Sequence, residues 1–153
     1  MQVRAAQLAD APAIEALAER MFSLGRFRGI ALNRDKVRAV IRYAIPASDY
    51  MLAVAESDNG ELAGLHLAQV TAYYFSDQYM AESVAYFVLP HFRGSSAALR
   101  LLAYFWRWAE QRGAREAVLG TGPSQGTTLA RMDRFLRRAG MSQIGGLYTR
   151  PLG

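Results

Sequence analysis

The chain switches between two hydrophobic rhythms, and the switches mark its elements. Residues 2–8, "QVRAAQL", alternate loosely with the period of two that suits a strand. Asp10 is the expected cap of a first helix, with Pro12 in its first turn. Ile14, Leu17, Ala18, Met21 and Leu24 then recur at helical spacing. Gly25 ends that run, and the loop "GRFRGIAL" carries Phe27 and Arg28. Asn33 is the expected cap of a second helix, apolar along Val37, Val40, Ile41, Ala44 and Ile45 and stopped by Pro46. "YMLAVAES" and "LAGLHLAQVTAYYF" read as two strands joined by an Asn-Gly turn in "DNGE".

The second half continues the alternation. "AESVAYFVL" is apolar on both faces near its end, which predicts a central strand. A long helix follows, with Ala98, Leu101, Leu102, Phe105, Trp108 and Ala109 as its inward stripe. "AREAVLGT" reads as a strand, and "GPSQGT" as a turn into a helix whose apolar face is Leu129, Met132, Phe135, Leu136 and Ala139. Gly140 is its expected cap, and "SQIGGLYTRPL" the expected last strand. The order β-α-α-β-β-β-α-β-α-β predicts an α+β domain over residues 1–153. Its mixed, mostly antiparallel sheet should lie between helical layers, and the step through the long helix should be a right-handed parallel crossover.

Composition narrows the chemistry. The 153 residues are 52% hydrophobic and 20% charged, enough for a packed core. There is no cysteine and only two histidines, His66 and His91, which argues against a disulfide framework or a zinc site. The net charge of +5 suits a polyphosphate ligand as well as plain solubility. The arginines, such as Arg131, Arg134, Arg137 and Arg138, are not interleaved with stacking aromatics, which argues against nucleic acid as a partner. No apolar run is long enough to span a membrane and the first residues lack a signal-peptide core, so a cytoplasmic protein is expected.

The segment "RGSSAA", residues 93–98, stands between the central strand and the long helix. A helix start exposes unpaired N–H groups and partial positive charge. Gly94 frees the turn, Ser95 and Ser96 offer hydroxyls, Ala97 and Ala98 keep the surface low, and Arg93 adds a cation. Such a backbone can cradle a phosphate. It can equally be a capped helix whose small residues pack under a neighbour. It is neither the P-loop nor the dinucleotide glycine pattern.

In context, "VLPHFRGSSAALRLL" resembles the acetyl-CoA motif of the GNAT acetyltransferase superfamily: a strand ending V-x-P, two residues, R-G-x-G-x-G/A, then a leucine-rich helix. Val88, Pro90, Arg93, Gly94, Ala98, Leu101 and Leu102 match, while Ser96 stands where the family usually has glycine. "RFLRRAGM" is similar to the family's F-Y-x-x-x-G-F segment, with Leu136 in place of tyrosine, and "FRG" (27–29) to a "YRG" loop of small phage and bacterial members.

The resemblance implies a three-layer α/β/α sandwich and an N-acetyltransferase that moves an acetyl group from acetyl-CoA to a primary amine, without a metal. It further implies that strands over 81–89 and 115–120 splay apart, with pantetheine bonded to the backbone of Phe87 and Leu89. A bulge would turn an amide of Phe87 or Val88 toward the thioester, and the pyrophosphate would lie on residues Arg93, Gly94, Ser95, Ser96, Ala97 and Ala98. Glu82 is the expected general base, with Asp77 a second carboxylate nearby. Tyr148 is a candidate for the acid that Leu136 does not supply, and water is the other. Phe27 and Arg28 are expected near the acceptor, and the aromatic run Tyr73–Phe75 is expected in the core, at a dimer surface or beside the acceptor pocket. His66 reads as a satisfied core residue. A homodimer is compatible with the family. The alternative function is a non-catalytic CoA-binding module, favoured by Ser96 and Leu136.

Overall fold

In the computed structural model, which describes residues 1–121 and 128–153, the chain runs in the order β1 (Gln2–Ala5), α1 (Ala11–Leu24), α2 (Arg34–Ala44), β2 (Tyr50–Glu56), β3 (Leu62–Ala72), β4 (Tyr79–Val88), α3 (Ala97–Gln111), β5 (Ala117–Val118) and α4 (Leu129–Arg138). The five strands form one sheet in chain order. The first three pairings are antiparallel and β4–β5 is parallel, as the crossover through α3 requires.

The alternation in β2 sorts the two faces. Met51, Ala53 and Ala55 point one way and join Ala63, Ala68 and Ala81 in a layer of mostly small side chains. The bulky stripe of α3, Leu101, Phe105 and Trp108, fills the space above them. Leu52 and Val54 point the other way, with Leu65, Leu67 and Phe87, against Ile14 and Leu17 of α1 and Ile41 and Ala44 of α2. Small sheet side chains under large helical ones, and larger sheet side chains under the opposite helices, keep both interlayer gaps filled.

The helix starts follow local chemistry. Asn33 accepts from the Lys36 amide (3.1 Å) and Thr128 from Arg131 (3.1 Å), each a side-chain cap. Asp10 does otherwise than expected: its carboxylate accepts from the Gln7 amide (2.8 Å) and pairs with Arg4 (2.7 and 2.9 Å), closing a short turn before α1. Arg4 also holds Glu56 (2.8 Å), pinning β1 to β2.

Four expectations need correction. Val40 is exposed, because α2 meets the sheet through Ile41 and Ala44 alone of its buried residues. Leu129, at the first position of α4, is exposed too. The fifth strand is two residues long, not six. The last strand does not form: residues 141–153 are neither helix nor strand. The expected "GPSQGT" turn, residues 122–127, lies outside the described residues.

Gly64 faces Val88 across β3–β4, and a Cβ there would collide with the Phe87 carbonyl oxygen and press on Val88. Gly64→Ala should therefore destabilise the fold by about 1–3 kcal/mol, the usual range for overpacking. Chemical denaturation would show it as a lower midpoint at unchanged m-value.

Candidate active site

The site begins where the sheet stops being continuous. Between β4 and β5, Ala81 pairs with Ala117 and Glu82 with Val118, and the Ala81 amide donates to Glu116 (2.9 Å). Beyond Glu82, β4 runs on to Val88 with no pairing to β5 among the described residues. The two strands therefore part at Glu82–Val118 and leave one edge of β4 open.

Which atoms face that opening follows from the register on the other side. Leu89 donates its amide to Ala63 (2.8 Å), and its carbonyl accepts from Phe92 (2.9 Å). Alternation along an antiparallel ladder then directs the backbone of Phe87 toward β3 and that of Tyr86 and Val88 toward the opening. The Phe87 oxygen lies against Gly64, and the Val88 carbonyl accepts from Arg93 Nε (3.3 Å), as this requires. The open edge of β4 thus presents the backbone of Tyr86 and Val88, while that of Phe87 and Leu89 faces β3. The bulge is present but lies at Val84: Ala68 faces Ser83 and Leu67 faces Ala85, so Val84 is the extra residue.

The open edge leads to the start of α3. Gly94 has φ of 93°, a left-handed conformation that favours glycine, and nothing lies within 4 Å of where its Cβ would be. The amides of Arg93 and Ser95 donate to Pro90 and Phe92, and that of Ala97 to the Ser95 hydroxyl (3.2 Å). The amides of Gly94, Ser96, Ala98 and Leu99 have no acceptor among the described residues. Ser96 makes no side-chain cap. The turn therefore keeps these four N–H groups available at the positive end of a 15-residue helix, beside the half-buried Arg93. These groups suit a pyrophosphate.

At the apex, consecutive residues of β4 serve opposite faces. Ala81 lies in the core under α3, so Glu82 faces the side of α1 and α2, where Gln69 Nε2 approaches its carboxylate (3.4 Å). Ser83 returns to the α3 side, and its hydroxyl meets Nε2 of the fully buried His66 (2.9 Å). The imidazole lies between the rings of Tyr86 and Phe105, at 4.9 and 4.7 Å. Its Nδ1 makes no hydrogen bond, although the Leu101 backbone is near enough to favour the protonated ring slightly. Burial outweighs that and pushes the pKa down to about 4, so the ring is neutral. His66 is thus buried, as expected, but only half satisfied. Tyr86 donates to the Ala98 carbonyl (2.8 Å), tying the open edge to the first turn of α3, and burial raises its pKa.

Other candidates lie apart from this frame. Tyr148, expected on a final strand, is almost fully exposed on a segment that forms none. Asp77 is exposed in the β3–β4 turn, where Tyr74 and Phe75 also project into solvent. Phe27 packs edge-on against Phe22 and carries Arg26 over its face (4.2 Å). A hollow of about 330 Å³ borders Met1, Ser57–Asn59, Phe92 and Ser95, with Asp58 paired to the amino terminus (2.6 Å). No group of three His, Asp or Glu side chains suited to a metal ion occurs among the described residues.

Ser83 and Tyr86 escaped the sequence reading. A bulge leaves no mark in the hydrophobic pattern, yet it decides which side chains and backbone groups face the opening. Gly64, a glycine inside a strand pattern, was the available sign of a close backbone approach.

A sheet whose parallel pair parts beside a helix start with free amides is the frame of an acyl-CoA N-acyltransferase. A sequence model of the acetyltransferase (GNAT) family matches residues 20–135. Similar solved structures include AAC(6')-Iy bound to a bisubstrate analogue (TM-score 0.77, 18% identity, 99% of this chain and 98% of that one). The glucosamine-6-phosphate N-acetyltransferase of Arabidopsis thaliana is another (0.77, 12%, 99% and 98%). A third is AAC(6')-IG of Acinetobacter haemolyticus, an aminoglycoside 6'-N-acetyltransferase (0.74, 14%, 100% and 99%). No curated protein matches the chain. The chain belongs to the acetyltransferase (GNAT) family, and acetyl-CoA is its co-substrate.

His66 gives the fold a pH dependence of definite sign. Its folded pKa, about 4, is below the ordinary 6.5, so the unfolded chain binds the proton more readily. The stabilisation is complete above about pH 6.5 and is lost as pH falls toward 4, on the order of 3 kcal/mol in all. Denaturation midpoints across that range should fall in the parent and flatten in His66→Gln.

Proposed function

We propose that this acetyltransferase moves the acetyl group directly from acetyl-CoA to a primary amine of a small molecule or peptide, both bound at once. The observation that carries the reading is the parting of β4 and β5 at Glu82, which opens an unpaired backbone edge from a carboxylate to the free amides at the start of α3. The pyrophosphate would sit on the amides of Gly94, Ser96 and Ala98 beside Arg93. The pantetheine arm would run back along β4 as an added strand, bonded to Val88 and Tyr86. That path brings the acyl end to the apex.

Acetyl-CoA supplies the activated acyl group. Glu82, on the α1–α2 side, takes the proton from the incoming ammonium or, through water, from the attacking amine. The edge amide of Tyr86 donates to the carbonyl where negative charge develops. The thiolate takes its proton from water, since Leu136 is buried and apolar and Tyr148 faces solvent. Positioning is the chain's main contribution. The similar proteins include aminoglycoside and glucosamine-6-phosphate N-acetyltransferases, which makes amino-sugar amines the first acceptors to try. The whole of residues 1–153 is read as a single domain, and the homodimer compatible with the family has a candidate surface in the carboxy-terminal segment.

Two substitutions test the assignment. Arg93→Ala should weaken acetyl-CoA binding about tenfold by calorimetry, the scale of one lost charge-assisted hydrogen bond; unchanged affinity counts against the cradle. Glu82→Gln should lower kcat by roughly 10²–10⁴ with acetyl-CoA affinity retained. Tight acetyl-CoA binding with no turnover on any amine would instead favour the non-catalytic CoA-binding module.

A further inference from the structure

His66 is at odds with its surroundings. It lies under Phe105 of α3, opposite Ala53 of β2 and Tyr86 of β4. Among the described residues it is the one polar side chain buried in the core. Its Nδ1 makes no hydrogen bond. A leucine would fill the place without leaving a polar atom unpaired, so a buried group that forgoes half its bonding calls for a reason. The reason lies in what Nε2 holds, the hydroxyl of Ser83 at 2.9 Å.

Ser83 stands where the β3–β4 ladder changes register. Ala68 faces Ser83 and Leu67 faces Ala85, with Val84 as the extra residue. His66 touches both flanks of this bulge: Ser83 just before it and the ring of Tyr86, 4.9 Å away, just after it. Side chains alternate along a strand, so one residue more or less turns all of those before it to the opposite face. Counted back from Tyr86 without the extra residue, Val84 and Glu82 would lie on the α3 side, and Ser83 would face α1 and α2. With the extra residue, Ser83 comes to the α3 side and Glu82 to the other. The hydrogen bond between His66 and Ser83 therefore exists in the register that serves Glu82 and is lost in the register that misplaces it. The cost of burying the Glu82 carboxylate also disfavours the second register, but it does not hold the strand in place within the first. A hydrogen bond of defined length does.

We infer that His66 is a positioning residue for acetyl transfer: its bond to Ser83 fixes the register of β4 at the bulge, and so holds Glu82 on the acceptor side and the edge amide of Tyr86 toward the thioester. This role rests on the acyl-transfer reading above, in which Glu82 is the base. His66 is sealed under Phe105, so it acts through the strand and touches no reactant. The amides at the start of α3 lie beyond the bulge and do not depend on this bond for holding acetyl-CoA.

The test is steady-state kinetics on variants of the full chain, with acetyl-CoA affinity by calorimetry and denaturation midpoints measured alongside. Glucosamine 6-phosphate, an aminoglycoside and a lysine peptide are tried as acceptors, and the fastest is used. His66→Leu should lower kcat at least about tenfold with acetyl-CoA affinity unchanged, since misplacing a reacting group by about 1 Å costs up to about 10²-fold. Its denaturation midpoint should not fall, because the substitution removes an unpaired buried nitrogen. Ser83→Ala should lower kcat equally but also lower the midpoint, because it strips the imidazole of its partner. His66→Leu combined with Ser83→Ala should be no slower than either change by itself, the mark of two residues acting through one bond. His66→Gln, whose amide can reach Ser83, should recover most of the rate. Rate then follows the bond while stability does not. Full activity in His66→Leu overturns the inference. So does a loss of rate that His66→Gln fails to restore, or one matched by weaker acetyl-CoA binding. Should His66→Leu not fold, Ser83→Ala and His66→Gln decide by the same criteria. A parent that binds acetyl-CoA and turns over no amine overturns the acyl-transfer reading itself, and the positioning role with it.

Discussion

The proposed acetyl transfer depends on the place where two parallel strands stop pairing. The β4–β5 ladder ends at Glu82 and Val118. Had it continued, the backbone of Tyr86 and Val88 would be spent inside the sheet. Because it ends, the sheet keeps an edge in its interior, and an interior edge lasts only if something satisfies it. In the proposed complex an extended amide-bearing ligand does so. The chain meets the remaining requirement at the far end of that edge, where Gly94 and the small residues after it leave free amides exposed at a helix start.

The opening is held in shape by contacts that do no chemistry. Gly64 lets β3 approach β4 closely enough to fix the Phe87 backbone. Tyr86 ties the free edge to α3 through the Ala98 carbonyl. His66, buried under Phe105 and bonded to Ser83, anchors the strand on the α3 side just before the bulge. Glu82 is thereby left on the opposite face, where an acceptor can approach without crossing the core.

Much of this was legible in the residues. The strand in "YMLAVAES" and the sheet between helical layers were readable, and the stripe from Leu101 to Trp108 announced the helix that covers one face. "RGSSAA" alone suggested only an anion site, and its flanking strand and helix made it specific. What the pattern did not carry was anything set by long-range registration. The register past the bulge at Val84 puts the backbone of Tyr86 and Val88, not that of Phe87 and Leu89, on the open edge. The last strand was read from propensity in "SQIGGLYTRPL", but a strand needs a partner ladder, and among the described residues this segment has none. Tyr148 lost its expected place for the same reason.

The central claim is that the open edge of β4, and not its paired edge, receives the co-substrate. A crystal structure with acetyl-CoA tests it directly. The account predicts pantetheine amides bonded to the backbone of Tyr86 and Val88, the pyrophosphate on the amides of residues 94–98, and the thioester beside Glu82. Acetyl-CoA bonded through Phe87 and Leu89, or bound away from the β4–β5 opening, would contradict it.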